Sequence, residues 1–182
     1  PEPVLTVENG GAPLIFGSDS GTPAVLDAAV SSAGGTVLTN RVWLRRVPSG
    51  TYSIAAGADV ALDGAALLGG PLTLTGYSVR VVGDGSVGGD GSVTANAGTA
   101  VWFDTMRYAN RALADSPATA ATYANAVALN GGTARFTGAG TITYSGALTG
   151  TGNAVKSGTG DLLLTGSGSS LNGEIQVTAG RL

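Results

Sequence analysis

The acidic side chains are the first candidates for chemistry, because the chain contains no histidine and no cysteine. This composition excludes thiol nucleophiles, disulfides and imidazole acid–base catalysis, and it removes the usual ligands of zinc. Asp59 and Asp63 flank Val-Ala-Leu and on a strand would share one face, about 13 Å apart. Glycosidases hold their two carboxyl groups roughly 5–9.5 Å apart, so this pair does not fit that reaction.

The other acidic candidates are isolated. Asp84 and Asp90 lie in GDGSVGGDG, where turn capping is the favoured role, since the segment lacks the G-G-x-G-x-D order of calcium-binding glycine repeats. Asp104 stands beside Phe103 and near Arg107, and is the one carboxylate in an aromatic setting. A single carboxylate does not make an acid–base pair. The sequence therefore predicts no catalytic residues, no metal and no cofactor.

Two groups of aromatic and arginine side chains could bind a partner. The first alternates along the chain and, on a strand, would form an outward stripe: Arg41, Trp43, Arg45. The second holds most of the remaining large side chains: Trp102, Phe103, Met106, Arg107, Tyr108, Tyr123. Aromatic and arginine residues dominate the energetics of protein interfaces. The alternatives stay open: a solvated stripe with its indole on the protein body, and a private core that holds the second segment in place.

The element that must position these residues is a repeated short strand. The pattern G-x-G-x-φ-x-φ-x-G, with φ an apolar residue, occurs at 138–146 and 158–166, and a shorter form occurs at 70–76. Apolar residues two apart face one side of a strand, and the flanking glycines permit tight corners. Such strands bury their apolar side only by stacking on each other. Leu162 and Leu164 are expected to point inward, and Leu163 outward, as a lone surface residue or a subunit contact.

Two segments carry helix signals. Thr22 is a good N-cap, Pro23 suits the first helical position and Gly34 is placed to end the helix, which predicts a helix near residues 23–33. Residues 99–130 interrupt the strand pattern, and Ser116–Pro117 is a second start signal. We expect an excursion from the stack with one short helix there.

The N-terminal region resembles the entrance of pectate-lyase-like right-handed β-helix proteins, a superfamily that includes many phage tailspikes. The shared pattern is a small amphipathic helix, then GGTV, then VPSGTYSI at 47–54. It covers about residues 19–54 and departs from the family by the inserted LTNRVWLRR. The resemblance implies that the helix caps the N-terminal end of a β-helix.

The C-terminal region resembles the autotransporter-associated β-strand repeat over GTGNAVKSGTGDLLLTGSGSSLNGEIQVTAGRL. The matching positions are Gly152, Lys156, Gly158, Gly160, Leu162, Leu164, Gly166, Gly173, Val177, Gly180 and Leu182, and the departure is Leu171, where the repeat commonly has tyrosine. The resemblance implies a β-helix turn from a bacterial surface protein or from a phage protein built of the same turns.

Composition limits the classes of partner that the chain can bind. The 182 residues suit one domain, and charged residues make up 12%, about half of the ~25% usual in soluble domains. The net charge is −3 and Lys156 is the one lysine, which argues against nucleic acid or an anionic membrane as partner. No run approaches the ~18 apolar residues of a membrane span. So few charges suggest that other subunits cover part of the surface.

We therefore expect an all-β protein: a single-stranded right-handed parallel β-helix (solenoid) with a short N-terminal capping α-helix and one partly helical excursion. One β-helix domain would span 1–182, with N-terminal strands and the capping helix in 1–54, regular turns in 55–98, the excursion in 99–130 and regular turns in 131–182.

The function predicted from the sequence is non-catalytic: a structural or adhesive surface protein of an extracellular assembly, foremost a phage virion spike, fibre or head-decoration protein. The tailspike-like entrance, the lack of a visible secretion signal and a compact chain with its own cap favour it. The predicted partners are the chain itself, as a homotrimer, other proteins of a virion or cell surface, and a glycan, without nucleic acid or membrane insertion. The alternatives are an autotransporter-type passenger or adhesin fragment and, third, a polysaccharide-degrading enzyme.

Overall fold

The structure is a computed structural model of the chain. It describes residues 4–7, 10–20, 22–26, 29–44, 50–63, 72–82, 92–105, 107–109, 112–114 and 120–182, and within some of these the backbone alone. Twenty-two strands lie in these ranges. Their bounds are β1 Val4–Val7, β2 Leu14–Ser18, β3 Ala24–Leu26, β4 Ala29–Ser32, β5 Thr36–Leu44, β6 Gly50–Ile54, β7 Asp59–Asp63, β8 Leu72–Thr75, β9 Ser78–Val82, β10 Val93–Asn96, β11 Ala100–Asp104, β12 Arg107–Ala109, β13 Ala112–Ala114, β14 Ala121–Tyr123, β15 Val127–Asn130, β16 Thr133–Thr137, β17 Ile142–Tyr144, β18 Leu148–Gly150, β19 Asn153–Lys156, β20 Leu162–Leu164, β21 Ser170–Leu171 and β22 Ile175–Val177.

The strands stack in parallel into a right-handed β-helix. Face A contains β2, the first part of β5, then β6, β8, β10, β15, β18 and β21. Face B contains β3, the second part of β5, then β7, β9, β11, β16, β19 and β22. Face C contains β14, β17 and β20. In the later turns the chain passes from face C to face A to face B and back to face C.

A sharp corner joins face A to face B in successive turns. Corner residues have a positive φ, which glycine adopts without the steric cost that a Cβ brings. They are Asn40 (φ 55), Gly57 (78), Gly76 (111), Gly98 (81), Gly131 (74) and Gly150 (102). Asn40 divides β5 between the two faces, and asparagine is one of the few other residues that tolerate this region.

The core is the interior of the solenoid. Alternate residues of each strand point inward, and parallel register places them in columns that run along the axis. On face B one column holds Val42, Val60, Val79, Val101 and Ala134, all buried. Leu72, Ile142 and Leu162 are buried as expected. Burial of each such large aliphatic side chain contributes roughly 1.5–3 kcal/mol, which is what holds the stacked turns together.

Four aromatic rings fill the interior between faces B and C. Phe103 and Phe136 come from adjacent strands of face B, with ring centroids 5.3 Å apart, and Tyr123 and Tyr144 come from face C. Phe103 lies 5.1 Å from Tyr123 and 5.3 Å from Tyr144. The Tyr144 hydroxyl donates to the Asn125 carbonyl oxygen at 2.8 Å. These contacts join the two faces across the core.

The predicted capping helix at 23–33 is wrong, because the described part of that segment forms strands. β3 pairs with the second part of β5, from Ala24↔Val42 to Leu26↔Leu44, and β4 pairs with β1. The N-cap and first-turn signals of Thr22 and Pro23 are local preferences. Parallel pairing, with Leu26 buried in the core, outweighs them.

The predicted excursion is too long at both ends. β11 pairs with β9 and β16, and β15 pairs with β10 and β18, so both belong to the stack. The interruption lies between Asp104 and Ala121, where β12 and β13 form an antiparallel pair with Arg107 opposite Ala114. The described part of the interruption holds strands and no helix. The helix signal Ser116–Pro117 lies outside the described residues.

Leu164 occupies the inward position that the repeat predicts but is not buried there. It pairs with the buried Tyr144, yet it is 39% exposed, whereas Leu162 is 2% exposed. The reason is that no further strand of face C covers β20 within the described residues. Leu163 points outward as expected and is 45% exposed.

Candidate functional site

The outer side of face B carries the arginine and tryptophan side chains that the sequence singled out. In β5 Val42 and Leu44 are buried, Arg41 is exposed and Trp43 is half-buried. The alternation predicted for Arg41 and Trp43 is therefore confirmed. Arg45 lies outside the described residues.

Parallel register places Trp43 in one outward row with residues far away in the sequence. Trp43 pairs with Ala61, Ala61 with Arg80, Arg80 with Trp102, and Trp102 with Arg135. We call Trp43, Trp102 and Arg135 the Trp/Arg row; of Arg80 the structure describes the backbone alone. Arg135 was missed in the sequence, although it occupies an outward position between the buried Ala134 and Phe136.

One close side-chain contact is described within the row. The guanidinium carbon of Arg135 lies 5.2 Å from the centroid of the Trp102 ring, a cation–π contact worth about 0.5–1 kcal/mol at an exposed site. Ala61 occupies an outward position in the same row and is nevertheless only 1% exposed, so its neighbours cover it.

The second predicted group is divided by the alternation of β11. Trp102 points outward, whereas Phe103 is buried in the aromatic core, where Tyr123 contacts it. Phe103 and Tyr123 are therefore core side chains and do not belong to the Trp/Arg row. Arg107 and Tyr108 lie on β12, and the structure describes their backbone alone.

A groove of about 230 Å³ lies beside the Trp/Arg row. Its lining comes from three successive turns: Ala58, Asp59, Val60, Tyr77, Ser78 and Trp102. Tyr77 is 43% exposed and sits at the corner before β9, where its carbonyl oxygen accepts a hydrogen bond from the Ala100 amide at 2.9 Å. No sequence pattern pointed to Tyr77, since it follows a corner glycine and stands alone.

The acidic candidates are spread along the chain, and Asp104, at the end of β11, is buried. Asp59 and Asp63 both lie on β7, with Asp59 exposed in the groove, while Asp84 and Asp90 fall outside the described residues. Asp161 accepts two hydrogen bonds from Arg181, at 2.8 and 3.0 Å, and these hold the pKa of Asp161 below its ordinary value. In the described ranges no three acidic side chains gather as metal ligands.

Lys156 is a buried cation in the core. Its ammonium donates to the carbonyl oxygens of Ser157 at 2.7 Å, Gly158 at 3.0 Å and Ala179 at 3.3 Å. Burial lowers the pKa of Lys156, and the negative charge of Asp161 opposes that shift. The three carbonyl oxygens belong to two successive turns, so the ammonium links them.

Comparison with known proteins gives no match to any family model, to any curated protein or to any solved structure. The fold defines the chain as a right-handed parallel β-helix protein. The likeness to pectate-lyase-like proteins and to the autotransporter-associated repeat rests on the sequence motifs alone. Among the described residues, no helix has the length and apolar character to cross a bilayer.

Proposed function

We propose that the chain is a non-catalytic structural and adhesive protein of an extracellular assembly, and specifically a spike, fibre or head-decoration protein of a phage virion. The observation that supports this is the difference between the inward and the outward side of face B. The inward side is filled with packed side chains, and the outward side carries the Trp/Arg row. Tryptophan and arginine are the residues most enriched where proteins bind partners.

In this function the Trp/Arg row is the surface that binds other proteins of the assembly. Trp43 and Trp102 offer rigid apolar surface, and the guanidinium of Arg135 beside Trp102 can supply directed hydrogen bonds. The strands behind the row are bonded on both sides within face B, so the row is fixed before binding. A preorganised surface of this kind loses little conformational entropy when a partner docks.

Self-association as a homotrimer is part of the proposal, with face C as the contact surface. The outward side chains of face C are Thr122, Thr143 and Leu163, of which Leu163 is 45% exposed. They are small or apolar and uncharged. Such a surface can lie against its copy without desolvating charged groups.

Locating the native protein tests the proposal. Antibodies raised against the chain would be used on density-gradient fractions of the producing culture and on purified particles by immunogold microscopy. We expect the protein to sediment with virions and to be labelled on their surface. Its recovery only from the cell interior would overturn the proposal.

A second candidate is a fragment of an autotransporter-type passenger or adhesin. One observation supports it: two positions that match the pattern of the C-terminal repeat make specific contacts. Lys156 is buried against three carbonyl oxygens, and Gly160 lies directly against Gly140. The same fractionation separates the two candidates. Recovery from the outer membrane fraction as part of a longer chain supports the second and contradicts the first.

A further inference from the structure

We propose that the groove lined by Asp59, Tyr77, Ser78 and Trp102 binds one neutral sugar ring of a glycan. This inference rests on the proposed adhesive function and names the class of ligand that one part of the surface takes. It is carried by the ring faces, the hydrogen-bonding groups and the charge balance around the groove.

The two aromatic side chains supply the apolar part of the site. Arg135 covers Trp102 from the β16 side, whereas the groove meets Trp102 from the side of β7 and β9. Tyr77 adds a second ring, 43% exposed, on the neighbouring turn. The C–H faces of a sugar ring pack on aromatic rings of this kind, and the exposed apolar area of both rings is removed from water when they do.

The polar groups match hydroxyl groups. The Asp59 carboxylate accepts hydrogen bonds, and the Ser78 hydroxyl both donates and accepts them. The two residues directly precede Val60 and Val79, which pair in register, so they lie on adjacent strands of face B. A carboxylate that accepts from a ligand hydroxyl makes a stronger bond than a neutral acceptor does.

The charge balance favours a neutral ligand. Arg41 pairs in register with Asp59, so opposite charges lie side by side at the end of the groove. A cationic ligand would compete with Arg41 for the carboxylate and would meet Arg135 behind Trp102. An anionic ligand would face Asp59 itself. The hydroxyl groups of a neutral ligand can donate hydrogen bonds to Asp59 and accept them from Arg41.

The size of the groove leaves room for one sugar ring of the ligand. Its volume of about 230 Å³ falls below the roughly 300–1,000 Å³ of pockets for drug-sized ligands. The groove is open at the surface, and its lining spans three turns of the solenoid. The neighbouring rings of an oligosaccharide would therefore extend over the outer side of face B.

Tryptophan emission gives a direct readout, since the chain has two tryptophans. Trp43→Phe leaves Trp102 as the sole emitter, and Trp102→Phe leaves Trp43. The probes are cellotetraose, maltotetraose and chitotetraose, with N-acetyl-arginine amide and trigalacturonate as charged comparisons. We expect a saturable emission change with at least one neutral probe in Trp43→Phe and none in Trp102→Phe.

Further variants test the lining. Tyr77→Ala and Asp59→Asn, each in the Trp43→Phe background, should weaken binding at least tenfold, while Tyr77→Phe keeps the ring and should stay within about threefold. Thermal unfolding of each variant checks that the fold is intact. No saturable change with any neutral probe, unchanged affinity in Tyr77→Ala, or preference for a charged probe would each overturn the inference. If the protein is found on virions but binds no neutral probe, the sugar site is contradicted and the proposed function stands.

Discussion

Lys156 occupies the inward position next to Phe136, one turn further along the solenoid, because the two residues pair in parallel register. An ammonium thus follows an aromatic ring in the same interior column. It is tolerated there because its three hydrogens meet three carbonyl oxygens, those of Ser157, Gly158 and Ala179. A buried charge without such partners would be costly.

Replacing Lys156 by methionine keeps an unbranched apolar stem and removes the ammonium. We expect the free energy of unfolding to fall by about 1–3 kcal/mol, because partly buried carbonyl oxygens lose their donor. Urea unfolding followed by circular dichroism measures it. Arg181→Ala removes another cation near Asp161, but from an exposed side chain, and should change stability far less. Equal effects of the two variants would contradict the structural role of Lys156.

Gly160→Ala should destabilise the protein through close approach of two turns. A Cβ at Gly160 would overlap the Gly140 carbonyl oxygen of the preceding turn, and the required shift costs about 1–3 kcal/mol or more. The matched control is Gly168→Ala, where φ is +80° and nothing lies within 4 Å, so only the backbone cost of roughly 1–2 kcal/mol applies. Thermal unfolding compares the two, and a larger loss in Gly168→Ala would count against the tight stacking.

Substitutions of two adjacent leucines should differ strongly in their effect on the free energy of unfolding. Leu162→Ala removes a core side chain and should cost about 2–5 kcal/mol. Leu163→Thr places on face C the residue found at Thr143 and should change stability by less than about 0.5 kcal/mol. The substitution should also weaken the proposed homotrimer, so light scattering should show the Leu163→Thr protein shifted from trimer towards monomer. A stable, fully trimeric Leu163→Thr protein would remove face C as the contact surface.

Stability should fall as the pH rises above 10. In the unfolded chain tyrosine ionises near pH 10, whereas burial raises the pKa of Tyr144 and of Tyr52 in the folded state. The folded state then binds more protons than the unfolded state, so alkali favours unfolding. Lys156 acts in the opposite sense below its ordinary pKa, because burial lowers its folded pKa and stability rises with pH in that window.

The difference between the native chain and Tyr144→Phe isolates the contribution of one group. Tyr144→Phe loses the hydrogen bond to Asn125 and should cost about 1 kcal/mol near neutral pH. Its stability should depend less steeply on pH between about pH 9.5 and 11.5. Urea unfolding at a series of pH values measures both slopes. Identical slopes would show that Tyr144 has the same pKa in the folded and the unfolded state.

The core of the later turns could be predicted from short-range pattern. Ile142, Tyr144 and Leu162 are buried as their two-residue spacing indicated. The role of the glycines was only half predicted. Gly158 has the positive φ expected of a corner, whereas Gly160 is needed because the backbone of the preceding turn leaves no room for a Cβ. That second requirement depends on how close two turns lie, which one turn does not encode.

The sequence by itself determined that apolar pairs between glycine corners stack into a parallel β-helix, because strand alternation is a local property of the chain. Tertiary structure alone decided that Ala24–Leu26 and Ala29–Ser32 form strands where a helix was predicted, since the pairing of Ala24 with Val42 is a distant contact. It also decided which residues form the Trp/Arg row. Trp43 and Trp102 share one row because the length of each intervening turn sets the register, and register emerges only when all the turns are stacked.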